Sequence, residues 1–480
     1  MCGIIGYIGK EQAIDKIYPA LMTLQHRGQD SAGAVTYENG FHLKKGNGLV
    51  TTVFNSKNIE RLKGTIGIGH VRYPTVGMGH EEDAQPFIIT TPYGIAMAHN
   101  GNLVNYFDLK KELITENLRY FNSNCDVEVI LNLLSVMLMK LNLRHLEPDM
   151  LFKALSRVYK RLVGSFAVVA IIADRGLLAF RDPLGIKPLV IGKNAHGYCV
   201  ASESVALDLL GYEDMENVAS GQAIFIDNQQ RYCSKQIVRV PQKKQAACIF
   251  EYVYFARPDS IIDGIGVYEA RLRLGRELGK QIAKTGLKPD VVIPVPDTAR
   301  ASAQMVAEVL TVQYREGLIK NRYIHRTFIM PTQSERIEAV RLKLNTIRSE
   351  IAGKKVLLID DSIVRGNTSR EIIALLRDSG ARKVYFASYS PPLQFPCVYG
   401  IDMQTRGEFI ARDRSYDQIR ADIGADALIY QTVADLENAV GQGTRTYCTA
   451  CFSGRYPTEI PPLLLEHIEA DRRMKSAQAR

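Results

Sequence analysis

The sequence predicts two domains of different class: an α+β domain with antiparallel sheets, then an α/β domain with a parallel sheet. Two observations carry this. Up to about residue 240, short apolar or alternating runs separated by turn signals mix with three helix-patterned stretches. Beyond residue 285 the order becomes strand, loop, helix, repeated, which reads as βαβ crossovers. A chain of 480 residues is long enough for two to four domains, each with its own core.

In the first part, GTIGIGHVRY, GIAMAHNG, SFAVVAIIAD and LLAFRD read as strands, and ADRGLL joins the last two as a hairpin. NYFDLKKELI, DVEVILNLLSVMLMKL and LFKALSRVYKRL carry helix-spaced apolar positions. In the second part, PDVVIPVPDTARASAQMVAEVL is one strand–loop–helix unit and GKKVLLIDDSIVRGNTSREIIALLRDSGARKVYFASY another. There Ile372, Ile373, Leu375 and Leu376 mark one helix face, Gly380 is the stop, and VYFASY returns as a strand. The charged stretch RTFIMPTQSERIEAVRLKLNTIRSE reads as a loop with helical pieces, and RRMKSAQAR as a solvated tail.

Composition is that of a globular protein, 46% hydrophobic and 23% charged. The apolar start lacks the basic flank of a signal peptide, and VILNLLSVMLMKLNL is interrupted by Asn132 and Lys140, so core is expected rather than bilayer. The expectation is a cytoplasmic protein with no membrane partner. A net charge of +9 suits phosphorylated substrates, and with no zinc-finger or RNA-binding signature no nucleic-acid partner is expected. Eight cysteines in a reducing compartment are not a disulfide framework.

The chain opens MCGIIGYIG. Once the methionine is trimmed, Cys2 carries a thiol and a free α-amine, which titrate near about 8.5 and about 8. That is a nucleophile with its own base attached. Four further stretches supply what thiol attack on an amide requires. LQHRGQDSAG sets Arg27 and Asp30 in a glycine-punctuated turn after a helix. GHVRYPT places Arg72 at a strand end, suited to a bidentate hold on a substrate carboxylate. AHNGNLVN puts Asn100 and Gly101 in a turn before a helix, where an amide and a backbone N–H can receive the oxyanion of a tetrahedral intermediate. SNCDVEV offers Asp126 to the α-amine of an amino-acid substrate.

LLIDDSIVRGNTS is an apolar strand, an acidic pair and a small-residue loop opening a helix. Asp360 and Asp361 can accept hydrogen bonds from a diol or help hold hydrated Mg²⁺, while backbone N–H groups from Arg365 to Ser369 form a phosphate site at the helix N-terminus. The Gly-Lys-Ser/Thr ending of a Walker loop is missing. Near the end, Cys448 and Cys451 form a C-x-x-C, compatible by itself with redox chemistry, zinc or neither.

Residues 2–235, through CGIIGYIG, HRGQDSAG, GHVRYPT, AHNGNL, FRDPLGIKPL and SES, resemble the class II glutamine amidotransferase domain. The resemblance implies the four-layer αββα sandwich of N-terminal nucleophile hydrolases. It further implies glutamine hydrolysis through a γ-glutamyl thioester on Cys2, with Asn100 and Gly101 at the oxyanion and Arg72 and Asp126 orienting glutamine. His99 and Tyr73 are expected as supporting residues. The acidic-pair loop resembles that of type I phosphoribosyltransferases. This implies ribose and metal at Asp360 and Asp361, the 5′-phosphate on Arg365, Gly366, Asn367, Thr368 and Ser369, Mg²⁺ also at Thr298, and a closing loop carrying Arg326 and Lys343. Asn367 stands where threonine is more usual, and Ala299-Arg300 where a small, glycine-containing pair is.

Cys248 in AACIFEYVYFARPDS, Cys397 in SPPLQFPCVYGID, and Cys448 with Cys451 in TYCTACFSG resemble the iron–sulfur branch of the amidophosphoribosyltransferase family, where four such thiolates hold a 4Fe–4S cluster. A Cys₄ zinc site looks the same from sequence. Cys125, Cys199 and Cys233 are expected to be ordinary cysteines. To about residue 462 the chain resembles that family, implying phosphoribosylamine synthesis from glutamine and phosphoribosyl pyrophosphate at the start of purine biosynthesis. Homotetramers and feedback inhibition by purine nucleotides are implied too. The expected organisation is a glutaminase domain over residues 2–240, a phosphoribosyltransferase domain over 241–462 and a tail over 463–480. Many iron–sulfur relatives carry a propeptide before the cysteine; only methionine precedes it here, so trimming is expected to suffice. The rival readings are a glucosamine-phosphate synthase, whose second half would lack IDDSIVRGNTS, a stand-alone glutaminase, and an inactive phosphoribosyltransferase-like regulator.

Overall fold

The computed structural model describes residues 1–73, 81–141, 146–321, 344–401, 405–443, 445–462, 464–466 and 469–470. The N-terminal part is built on two antiparallel sheets. One has seven strands, in the order Asp214–Asn217, Val190–Asn194, Gly197–Ala201, Gly3–Gly9, Ile66–Arg72, Ser31–Tyr37 and Phe41–Asn47. The other has six: Tyr232–Gln236, Gln222–Asp227, Gly176–Arg181, Gly164–Ile172, Ile95–Leu103 and Phe87–Ile89.

Both faces of the central strands are covered, which explains why those strands read as apolar runs, while the edge strands Phe41–Asn47, Asp214–Asn217 and Tyr232–Gln236 are largely polar and part-exposed. In Gly3–Gly9, Ile4 and Ile8 enter the core between the sheets, while Ile5 and Tyr7 face the helix Ala13–Thr23 on the outside. Gly67 on the neighbouring strand lets that helix settle close, since a Cβ there would lie 2.4 Å from Ile17 Cδ1. The helices Tyr106–Thr115, Asp126–Met139 and Pro148–Tyr159 cover the outer face of the six-stranded sheet. The result is the four-layer αββα sandwich of the N-terminal nucleophile hydrolases.

The C-terminal part carries a five-stranded sheet in the order Gln313–Tyr314, Val291–Pro294, Lys355–Asp360, Lys383–Ser388 and Ala427–Tyr430. All its pairings are parallel. The helices Arg300–Leu310 and Asn367–Asp378 are the crossovers expected from sequence. Ile372, Ile373 and Leu376 are buried on the sheet side, and Gly380 takes φ +90° just past the helix end. This is the type I phosphoribosyltransferase architecture. Of the expected tail, Leu464 is buried and Glu469 pairs with Arg406 at 2.8 Å, so its beginning is docked; RRMKSAQAR lies outside the described residues.

Buried polar contacts join the two parts. Arg181 holds Asp263 through both arms, at 2.7 and 2.9 Å, and Arg27 holds Glu251. Asn102 Nδ2 donates to the Val398 carbonyl at 2.8 Å and Ser165 Oγ to that of Tyr399 at 2.9 Å. Gly400, at φ +94°, lies so close that a Cβ would sit 2.7 Å from the Gly101 carbonyl oxygen. Among the described residues, no helix is long and apolar enough to cross a membrane.

Candidate active sites

Cys2 sits immediately before the central strand Gly3–Gly9, buried at one end of the two sheets. Its backbone N–H donates to Asn100 Oδ1 at 3.2 Å and its thiol to the Tyr73 carbonyl at 3.8 Å. The atom that becomes the α-amine is therefore held beside Asn100. Met1 lies ahead of it, buried against the C-terminal core, with Lys187 Nζ donating to its sulfur at 2.7 Å.

Asn100 Nδ2 is buried without a partner among the described residues, which leaves an amide donor free on the same side chain that accepts the Cys2 N–H. That is the requirement of an oxyanion hole. Asn100 and Gly101 lie inside the strand Ile95–Leu103, not in the turn expected; the helix begins only at Tyr106. The strand continues because its whole length pairs with Gly164–Ile172, Gly101 opposite Phe166. A side chain at Gly101 has no room, since a Cβ would lie 2.1 Å from the Ser165 carbonyl oxygen.

Asp126 is the first residue of the helix Asp126–Met139. Its Oδ2 accepts the Leu103 N–H at 2.9 Å and lies 3.3 Å from His99 Nε2. Burial works against its charge, but His99, the Leu103 N–H and Arg72 outweigh it and hold the carboxyl below its usual range. His99 thus faces Asp126, and it is held by Gln85, whose Oε1 accepts the His99 backbone N–H at 2.7 Å. Arg72 ends its strand buried, with Nη1 donating to the Asp83 carbonyl at 2.6 Å. Residues 74–80, which follow Tyr73, lie outside the described residues.

The second site stands at the C-terminal edge of the parallel sheet, where ligands of such sheets bind. Asp360 ends the strand Lys355–Asp360, and Asp361 follows it. Asp361 accepts hydrogen bonds from the Ser362 hydroxyl at 2.5 Å and from the Thr298 side chain. Burial raises both carboxyls, and Asp361 adds its repulsion at Asp360; Asp361 is pushed up to about 6 and Asp360 well above its usual range. Two buried acids so arranged have the chemistry to take a cation or hydroxyl donors. Gly366, at φ +79°, turns the loop into the helix Asn367–Asp378. Thr368 is exposed and Ser369 buried, while the Asn367 amide oxygen accepts from Arg370 at 3.3 Å. Arg365 pairs with Glu408 at 2.6 Å. Ala299 is buried ahead of the helix Arg300–Leu310, and Arg300 faces Asp297 and Glu316. Arg326 and Lys343 lie outside the described residues.

The four expected cluster cysteines come together at the junction. Ala247–Cys248 pairs in parallel with Tyr447–Cys448, setting Cys248 opposite Cys448. The Cys451 carbonyl accepts the N–H groups of Gln394 and Phe395, and the Tyr399 N–H donates to Cys397 Sγ at 3.3 Å. All four thiols are unbridged. Burial, then Lys187 acting against it, leaves Cys248 pushed up to about 12. Cys451 is raised by burial and by the proximity of Cys448, Cys397 and Cys248. Cys248 and Cys451 are buried and Cys397 and Cys448 half-buried, and as thiolates the four would repel one another, the chemistry of a donor set that a cation would relieve. As placed, no three His, Cys, Asp or Glu side chains among the described residues close on a single metal ion.

Sequence reading left several contributors without a role. Arg27 is fully buried and its Nε donates to the Cys2 carbonyl at 2.9 Å. Glu203 of SES takes the Ser260 hydroxyl at 2.7 Å, and Ser202 Oγ receives the Ile4 N–H at 3.0 Å. The quoted motifs contained these residues, but their partners lie far along the chain.

Two family patterns match the chain: the glutamine amidotransferase domain over residues 70–209 and the phosphoribosyl transferase domain over residues 265–389. Fold and sites together define a glutamine amidotransferase joined to a phosphoribosyltransferase. The amidophosphoribosyltransferase of Pseudomonas aeruginosa is 47% identical, covering 98% of this chain and 96% of the relative. That of Escherichia coli K12 is 48% identical over 96% and 93%. The solved glutamine phosphoribosylpyrophosphate amidotransferase of B. subtilis, complexed with ADP and GMP, superposes with a TM-score of 0.85 at 38% identity, covering 96% of this chain and 98% of that one. The chain belongs to the amidophosphoribosyltransferase family.

Proposed function

We propose that this chain converts glutamine, 5-phosphoribosyl 1-pyrophosphate and water into 5-phosphoribosylamine, glutamate and pyrophosphate, the entry step of purine biosynthesis. The observation that carries this reading is the pairing, in one polypeptide, of a cysteine whose N–H is held by an asparagine with an unpartnered amide donor, and an acidic pair before a phosphate-type loop.

Cys2 attacks the side-chain amide of glutamine, and its own α-amine moves the proton to the departing ammonia. Asn100 Nδ2 and the Gly101 N–H receive the oxyanion, while Arg72 and Asp126 hold the two ends of the amino acid. Water then hydrolyses the thioester to glutamate. Ammonia, unprotonated if kept from bulk water, attacks the anomeric carbon as pyrophosphate leaves. Arg365, Gly366, Asn367, Thr368 and Ser369 hold the 5′-phosphate, and Arg326 and Lys343 meet the pyrophosphate. Thr298, Asp360 and Asp361 are the residues that would hold Mg²⁺ and ribose hydroxyls, the ion supplying charge to the leaving group.

Cys248, Cys397, Cys448 and Cys451 would hold a 4Fe–4S cluster with a structural task, clamping the C-terminal segment to the preceding domain. Cys451→Ser is then expected to remove the visible absorption together with iron and sulfide, and to lower the melting temperature by about 5–10 °C. Zinc without iron in the purified protein would replace the cluster with a Cys₄ zinc site. Purine nucleotides as feedback inhibitors, for which the ADP and GMP of the B. subtilis complex argue, a homotetramer and a cytoplasmic location complete the proposal.

The test is release of pyrophosphate and glutamate by purified, methionine-trimmed protein, with glutamine and separately with ammonium salt. Product from both nitrogen sources is expected. Glutamine hydrolysis without amination of the activated ribose, even from ammonia, would overturn the reading.

A further inference from the structure

Arg27 is buried against the nucleophile's own main chain. Its Nε–H donates to the Cys2 carbonyl at 2.9 Å, and its other two nitrogens form a fork onto Glu251, Nη1 to Oε2 at 3.0 Å and Nη2 to Oε1 at 2.7 Å. Nη1 also pairs with Glu203. The two carboxylates are not equivalent. Glu203 belongs to the sandwich and has other donors: Ser260 Oγ at 2.7 Å, the Arg257 N–H at 3.0 Å and His26 Nε2 at 2.8 Å. Among the described residues, Glu251 accepts with its carboxylate from no side chain other than Arg27. It comes from the C-terminal part, as the first residue of the π-helix Glu251–Phe255.

A guanidinium is a rigid plane, so gripping one edge fixes the direction of the N–H on the other. The bidentate hold at Glu251 therefore aims Nε–H at the Cys2 carbonyl. Glu251 is itself set by a firm frame. Arg271 donates to the carbonyls of Tyr252 and Ala256 at 3.0 and 2.8 Å, and the Tyr389 hydroxyl donates to that of Val253 at 2.9 Å. Arg271 and Tyr389 both lie within electrostatic reach of Asp361.

We propose that Glu251 is a positioning residue for glutamine cleavage: through Arg27 it fixes the main chain of Cys2 and hence the aim of the thiol. The glutamine site is then completed by a carboxylate from the other half of the chain. This rests on Cys2 being the glutamine nucleophile.

Glu251→Gln keeps the shape and one acceptor but loses the charge and the second acceptor. In full-length, methionine-trimmed protein, kcat/KM for glutamine should fall about 10- to 100-fold, carried by kcat rather than KM, as a misaimed reacting group requires. Alkylation of Cys2 by iodoacetamide should change rate in parallel. Synthesis from ammonia should stay within about twofold of the unsubstituted protein, and Glu251→Asp should recover part of the loss. Unchanged glutamine turnover overturns the proposal, and so does an equal loss from both nitrogen sources, which would mark a merely structural role. If Glu251→Gln does not fold, Arg27→Lys, which keeps the charge and loses the fork, must show the same split between nitrogen sources, or the proposal fails. If the unsubstituted protein makes no phosphoribosylamine from either source, the functional reading falls, and the alkylation rate still decides the role of Glu251.

Discussion

Cys2→Ala is expected to lower glutamine-dependent synthesis by about 10⁴-fold or more while leaving synthesis from ammonium salt intact. The size follows from the chemistry. On the proposed reading every other group at this site orients glutamine or receives charge, and none of them can form the thioester. The selectivity follows from the fold. The thiol is buried at one end of the antiparallel sheets, and the acidic pair ends the strand Lys355–Asp360 of a separate parallel sheet. Loss of the thiol adds no volume at a packed site, so the second site should keep its shape. Pyrophosphate release with each nitrogen source checks this, and loss of both activities in a folded variant would mean that the sites are not separate.

Asp361→Asn is expected to act the other way, reducing synthesis from glutamine and from ammonia together by about 10²- to 10³-fold. The carboxyl lies buried next to Asp360, with Ser362 and Thr298 as donors, so it is poised to accept from a substrate or ion that brings positive charge or hydroxyls. Burying two like charges without such a partner carries a cost, and the neutral amide removes part of it. The substituted protein should therefore melt at or above the temperature of the unsubstituted one, a gain on the order of 1–2 kcal/mol in the unliganded state. Activity loss combined with unchanged or improved stability is the signature of a binding group. Normal rates would remove Asp361 from the site.

Much of this architecture was legible because its signals are local. The strand–loop–helix unit around Asp360 follows from an apolar run, a glycine able to take a positive φ and a helix with one apolar face, all within about thirty residues. The hairpin at Asp174 announced itself in the same way, with that residue taking φ +57° between the strands Gly164–Ile172 and Gly176–Arg181. What stayed hidden depends on partners far away in the chain. Asn100 and Gly101 resemble a turn in isolation, and only pairing with residues some sixty positions on makes them strand. Nothing around Arg27 reveals Glu251, and His99 gives no sign of facing Asp126. Buried ion pairs are invisible to periodicity, since a charged residue in an apolar run carries no mark of whether it meets a partner or water.

The segment Val398–Gly400, pressed against Asn102, Ser165 and the Gly101 carbonyl, bears on how such a chain can evolve. A free-standing sandwich of this sequence would expose donors that are now sealed, and a foreign acceptor module would meet Gly101 with the wrong contour. Recombination that exchanged one half for another should thus yield poor hybrids unless this short loop travelled with the glutaminase it abuts.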